Sequence, residues 1–297
     1  MKKMVLVLDE SGAKGYAKTR ERYEGEIGVM AGFLYTESEI RNTEIYLDNV
    51  LNRYRNDSGK KFHITDLDKK SQANLRDEIF HFMERYKFRW FYQAVYAEGF
   101  HQSEFSKGRG GDENGNESLH VKLFQHMFIM GLSMANLIGI KKINLTVKTD
   151  RIDKGILKIF KQVGVETLGI ILGRDRDIFR YVPDDEPGKF KKEHAILSIK
   201  SDGMPIFEEI QFDIECEYSS LTIMADILAN SVHHYLNKAQ KSNLGIFLNN
   251  KEVLKEHPVI HLAIASKNEE HIPPMLDIIY RRTKEMTASP ATPEKST

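Results

Sequence analysis

The sequence predicts an α/β fold with a partly parallel sheet, and three stretches carry that expectation. Residues 4–8 (MVLVL) are a run of five apolar residues that stops at Asp9 and Glu10, with Ser11 and Gly12 to turn the chain, the pattern of a buried strand. Residues 142–150 (KINLTVKTD) alternate Ile143, Leu145, Val147 and Thr149 with Asn144, Thr146, Lys148 and Asp150, which is the period of a strand with one polar face. Residues 151–163 then read as a crossover helix leading into a β-rich stretch at 165–217. Strand, helix and strand in that order connect parallel neighbours.

The remaining elements follow in chain order. Residues 13–26 are polar and carry Lys14, Lys18, Arg20 and Arg22, and residues 27–35 (IGVMAGFLY) are apolar again, so the chain begins with a long hairpin whose basic connection lies beside Asp9 and Glu10. Behind Thr36 as N-cap, residues 37–54 place Ile40, Ile45, Leu47, Leu51 and Tyr54 at approximately helical spacing. Residues 56–67 (NDSGKKFHITDL) form a turn-rich loop with Lys60, Lys61, His63 and Asp66, and 68–86 return to a helical pattern. The aromatic stretch 88–100, with Trp90, Tyr92 and Tyr96, reads as a central strand. Residues 106–118 hold four glycines and no apolar side chain, a loop that matches no phosphate-cradling motif. Residues 119–138 read as a Met-rich apolar helix on the sheet, and PDDEPG at 183–188 as a hairpin turn.

Residues 219–238 read as a helix whose first half is apolar almost all round, and Asp226 is its only formal charge between Glu217 and Lys238. Further on come a short helix at 250–256, an apolar stretch at 258–264, a helix at 274–286 and a disordered tail at 287–297 without core-forming residues. With no repeat and no clean linker, residues 1–286 are expected to be one domain with an embellished C-terminal part.

Composition sets the outer limits. A chain of 297 residues with 41% hydrophobic content builds a sizeable core. Lys+Arg and Asp+Glu are both 43, so a nucleic-acid partner would be held by a local basic patch and not by the overall field. Cys216 is the single cysteine, which excludes an intrachain disulfide and multi-cysteine zinc sites and suits a reducing cytoplasm. The N-terminal apolar run is too short for a signal segment, and no stretch approaches the roughly 20 apolar residues of a membrane span, so a cytoplasmic protein without a membrane partner is expected. Gly-x-Ser-x-Gly, His-Glu-x-x-His and a first-strand Asp-x-Asp are all absent.

A carboxylate on a mostly buried helix costs several kcal/mol unless a cation or good donors compensate it. For Asp226 the compensation is an Arg or Lys from elsewhere, an outlet through a gap in the packing, or a metal ion shared with other acids. Strand ends that neighbour one another in an α/β sheet converge at one edge, where a packed helix brings a third acid. Carboxylates so gathered repel unless divalent cations hold them, and Mg²⁺ or Mn²⁺ prefers oxygen ligands; two such ions about 4 Å apart activate water in phosphodiester cleavage.

Five motifs then carry a family resemblance: LDESG at 8–12, GVMAGFLY at 28–35, KFHITDL at 61–67, TDR at 149–151 and LTIMADILAN at 221–230. In these the chain resembles a bacterial family known as domain of unknown function 3800, of the ribonuclease H-like superfamily. The resemblance spans the chain to about residue 236. It implies a mixed sheet flanked by helices and metal-binding roles for Asp9, Asp150 and Asp226. The superfamily's usual fourth acid comes from the first helix, where Glu39, Glu44 and Asp48 are available; Glu10 is the alternative, and the resemblance does not choose among the four. His63, next to Lys60 and Lys61, is either a proton shuttle or phosphate contact or a surface histidine. His233 and His234 face different sides of their helix and read as polar-face residues, while Arg174, Arg176 and Arg180 alternate with Asp175 and Asp177 as a self-paired surface. The expected activity is hydrolysis of RNA or DNA with Mg²⁺ or Mn²⁺. Family members are often encoded near defence genes, which implies action against phage or mobile elements beside a protein partner. The other expectation is a ribonuclease H-like binding or regulatory subunit without turnover.

Overall fold

The computed structural model describes residues 1–15, 20–54, 64–104, 118–172, 176–184, 190–197, 206–242 and 253–264. The helix expected at 274–286, the tail at 287–297, His63, residues 106–117 and Arg174 lie outside these, as do the side chains of Arg176 and Arg180. Among the described residues, no helix is long and apolar enough to cross a membrane.

Five strands form one mixed sheet, β1 (Lys2–Gly12), β2 (Ile27–Thr36), β3 (Phe91–Tyr96), β4 (Lys142–Thr149) and β7 (Glu209–Cys216), in the order β3-β2-β1-β4-β7. β1, β2 and β3 pair antiparallel, and β4 and β7 extend the sheet parallel to β1, so the α/β class and the partly parallel sheet are present as expected. β5 (Arg176–Pro183) and β6 (Phe190–Leu197) form a separate antiparallel pair.

Alternation along β1 feeds two cores. Val5 and Val7 pack with α1 (Glu37–Leu51), α2 (Lys69–Tyr86) and α6 (Ser220–Ser242) on one face. Met4, Leu6 and Leu8 pack with α4 (Ser118–Leu137) and α5 (Lys154–Ile171) on the other. Caps fix the first two helices. Thr36 and Glu39 form a capping box at α1, with the Thr36 N–H donating to Glu39 Oε2 at 3.0 Å, and Asp68 accepts from the Lys70 and Ser71 N–H groups at α2.

Three expectations change. β1 does not turn at Ser11: it stays paired with β2 to Gly12, four residues beyond the Leu8–Thr149 pair where β4 stops, because the antiparallel partner goes on satisfying its backbone. The aromatic strand β3 is an edge strand and not a central one, and it ends at Tyr96 where α3 (Ala97–Glu104) begins. Its residues are buried all the same, because both cores cover its faces, and residues 259–264 pair with Trp90 just ahead of it. There the Trp90 indole N–H donates to Val259 O and the Ile264 N–H to Trp90 O, both at 2.9 Å. The expected β-rich stretch starts late, since α5 runs on to Ile171. Phe160, Gly164, Thr167 and Leu168 bury one helical face, and Gly164 lies flat on the Phe212 ring.

Gly12 has φ of 84°, and a Cβ there would collide with Ile27 O and lie 2.6 Å from His233 Nε2. Gly12→Ala is therefore expected to lower the unfolding free energy by about 1–3 kcal/mol in urea titration. Burial pushes both His126 and His257 down to about 4 from the usual 6.5. His257 Nε2 lies 2.8 Å from Ser231 Oγ, and its Nδ1 accepts from the Val259 N–H, which is the neutral tautomer. Between pH 6.5 and 4 the unfolded chain binds more protons than the folded one at these two sites, so stability is complete above that window and is lost as pH falls through it. Denaturant titrations from pH 7 to 4.5 are expected to show the loss, at up to about 1.4 kcal/mol per pH unit for each histidine, and His257→Gln removes one share of the slope.

Candidate functional site

The part of β1 that outruns β4 carries the chemistry. Alternation continues through it, sending Asp9 after Val5 and Val7 toward α6, and Glu10 after Leu6 and Leu8 toward α4. Asp9 is only 8% exposed. Burial, the adjoining Glu10 carboxylate and the Asp226 carboxylate together hold the Asp9 carboxyl well above the usual carboxylate range. Asp226 arrives from α6, the helix packed along this strand. Seven residues on, hence two turns along the same face, His233 packs against Gly12, so α6 and the end of β1 run side by side.

Glu10 has the opposite environment. Its Oε1 lies 2.6 Å from Lys14 Nζ and its Oε2 lies 3.4 Å from His120 Nε2. Burial alone would raise the Glu10 carboxyl, but His120 and Lys14 outweigh it and hold it well below the usual range. His120 stands in the first turn of α4, 2% exposed and edge-on to the Phe160 ring, and its N–H donates to Lys14 O at 2.8 Å. The same residue thus fixes the Lys14 backbone and the Glu10 carboxylate.

Asp150 follows Thr149, the residue opposite Leu8, so it leaves β4 one step from Asp9. Its Oδ1 accepts from the Arg151 N–H at 2.6 Å. The structure therefore brings Asp9, Glu10 and Asp226 together, with Asp150 at the end of the neighbouring strand. Among the described residues, no group of three or more His, Cys, Asp and Glu side chains has metal-holding geometry. Of the first-helix acids, Glu39 is taken by the α1 cap. Glu44 faces an open cleft of about 660 Å³ with Arg41, Thr146, Lys148 and Glu215. Burial raises the Glu44 carboxyl despite the opposing charge of Lys148, which itself pairs with Glu217 at 2.7 Å.

Sequence reasoning placed Lys14 in the basic connection beside Asp9 and Glu10 without giving it a role, and it missed His120. A histidine in the first turn of an apolar helix was the available signal, but only the fold brings it to Glu10. His233 is a correction: it is not on the polar face but partly buried against Gly12, with Nε2 lacking a hydrogen-bond partner among the described residues, whereas His234 is exposed. Burial, and then His234, lower the His233 imidazole. No protein-family model matches this chain, and no curated protein matches it either.

Buried Asp9 with a second, partly buried carboxylate raising its proton affinity fits a hard cation in its donor chemistry, and Asp226 is that second carboxylate. Asp9→Asn relieves the repulsion without changing the shape of the side chain. In EDTA it is expected to leave the melting temperature equal to or above that of the parent chain, in contrast to the 1–3 kcal/mol loss usual when a buried polar group loses its partner. A clear drop would mean that the Asp9 carboxylate is needed by the fold itself.

Proposed function

We propose that the chain is a ribonuclease H-like, divalent-metal-dependent phosphodiester hydrolase acting on RNA or DNA. The observation that carries this reading is buried Asp9 with the Asp226 carboxylate beside it at the end of the central strand, and Asp150 at the mouth of the adjacent parallel strand. A mixed sheet with helices on both faces supports the same reading. Asp9 and Asp226 would hold Mg²⁺ or Mn²⁺, with Asp150 the third acid of the set, and the ion supplies a polarised water and charge stabilisation at the departing oxygen. The chain's own part is to exclude water behind the pair through Val5, Val7 and the apolar face of α6, and to keep Glu10 ionised beside Asp9. A role against phage or mobile elements, with a protein partner, rests on the family resemblance alone.

One observation favours a second reading, a binding or regulatory subunit without turnover: among the described residues the acids do not stand as a three-ligand group. Labelled single- and double-stranded RNA and DNA, incubated with the protein in Mn²⁺, Mg²⁺ or EDTA, separate the two. The nuclease reading expects cleavage that needs metal and falls at least about 100-fold in Asp9→Asn and in Asp226→Asn. Absence of cleavage on every substrate would leave the subunit reading standing.

A further inference from the structure

We propose that the outer edge of β7 receives an extended, basic segment of a partner protein, which joins the five-stranded sheet as one more strand. The inference uses none of the acids of β1 and is independent of the nuclease reading.

The direction of the β7 backbone defines the edge. The Glu217 N–H donates to Thr149 O at 3.0 Å and the Glu209 N–H to Lys141 O at 3.4 Å, so odd-numbered residues bond toward β4 and even-numbered ones turn their N–H and C=O groups away from the sheet. The Ile214 N–H is held by Asp213 Oδ1 at 2.8 Å. The N–H groups of Ile210, Phe212 and Cys216 have no hydrogen-bond partner among the described residues. Such a row of unpaired backbone groups is a template for another strand. Its two margins differ in chemistry. On the face away from α5, Glu209, Gln211, Asp213 and Glu215 are all exposed. Lys161 answers Asp213 at 2.8 Å, whereas Glu209 and Glu215 have no ion-pair partner among the described residues. On the other face, Ile210, Phe212 and Ile214 turn toward α5. There Val165 stands one turn beyond Lys161, on the side of the helix that reaches Asp213, and it is 62% exposed beside the open edge.

These margins select the occupant. Side chains opposite one another on neighbouring strands share a face, so an added strand sets alternate residues beside the acids and beside Val165. The matching segment alternates Lys or Arg with Val, Ile or Leu over about five residues. A second copy of β7 does not match. In antiparallel registers centred on Phe212, Asp213 or Ile214, acid meets acid: Glu209 faces Glu215, Asp213 faces Asp213, or Asp213 faces Glu215, and like charges directly opposite are destabilising. Charges of one sign thus bar self-pairing and leave the edge open to a basic strand.

A labelled peptide of alternating Lys and Val, as long as β7, tests the inference when titrated into the full chain and followed by fluorescence anisotropy and amide hydrogen exchange. Binding is expected to slow exchange of the Ile210 and Phe212 N–H groups at least about 10-fold and to leave the odd-numbered amides of β7, already in the ladder, as they were. Only one edge of the peptide faces β7, so N-methylation of its Lys amides or of its Val amides is expected to abolish binding for one set and spare it for the other. Glu209 and Glu215 are exposed, so their substitution leaves the fold intact. Glu209→Gln/Glu215→Gln is expected to weaken the peptide about 5-fold, and Glu209→Lys/Glu215→Lys to prefer a Glu–Val peptide of the same length. Absence of binding, equal binding of the Glu–Val peptide by the parent chain, or an equal effect of the two methylated sets would overturn the inference. Self-association of the chain that slows the same amides would overturn it in favour of a second copy.

Discussion

A carboxylate buried against a second carboxylate is tolerated only with a proton or a cation beside it, and Asp9 meets Asp226 under that condition. The rest of the sheet makes the meeting unavoidable. β1 lies at the centre of five strands with helices on both faces, so a side chain at its end has apolar neighbours unless the fold provides otherwise. The strand also outruns β4, which opens a gap on one side just where the acids begin. Burial behind and an opening beside are what a cation site needs from a scaffold: the first strengthens the attraction and the second admits the ligand.

Glycine and backbone geometry keep that arrangement in place. Because β2 follows β1 to Gly12, the residues after Leu8 stay extended and preserve the alternation that aims Asp9 and Glu10 at different faces. Gly12 then adopts a left-handed conformation with His233 packed on it, which sets how close α6 approaches and so where Asp226 stands. The Asp9–Asp226 distance is controlled by packing two helical turns from the acids themselves.

Much of this was legible in the sequence, and the limits have physical causes. The strand at 4–8, the Thr36 cap, the period of two in β4 and the charge isolated on α6 are local patterns, and each marks its element correctly. Asp9 and Asp226 stood out because an acid interrupts an apolar run, a signal that needs no tertiary knowledge. The position of β3 did not, since a strand buried by an edge-covering segment about 170 residues later in the chain has the same composition as a central one. The role of His120 was illegible for a related reason. Lys14 reaches Glu10 from four residues away, within the basic connection expected beside the acids, whereas a histidine in an apolar helix is ordinary until the fold brings that distant segment to the same carboxylate.

Asp9 and Glu10 have similar acidity in water, are adjacent in sequence, and end in opposite states. Desolvation pushes both toward the neutral acid and does not distinguish them. The strand's alternation does. One side chain is turned toward a helix whose polar contribution is another acid, the other toward a helix turn that offers a histidine and anchors a lysine. Glu10 is thereby committed as an anion that the chain itself compensates, and its charge adds to the repulsion on Asp9. The pairing on the α4 face sharpens the demand for a proton or a cation on the α6 face, so the two faces of one short stretch of strand act as a single electrostatic device.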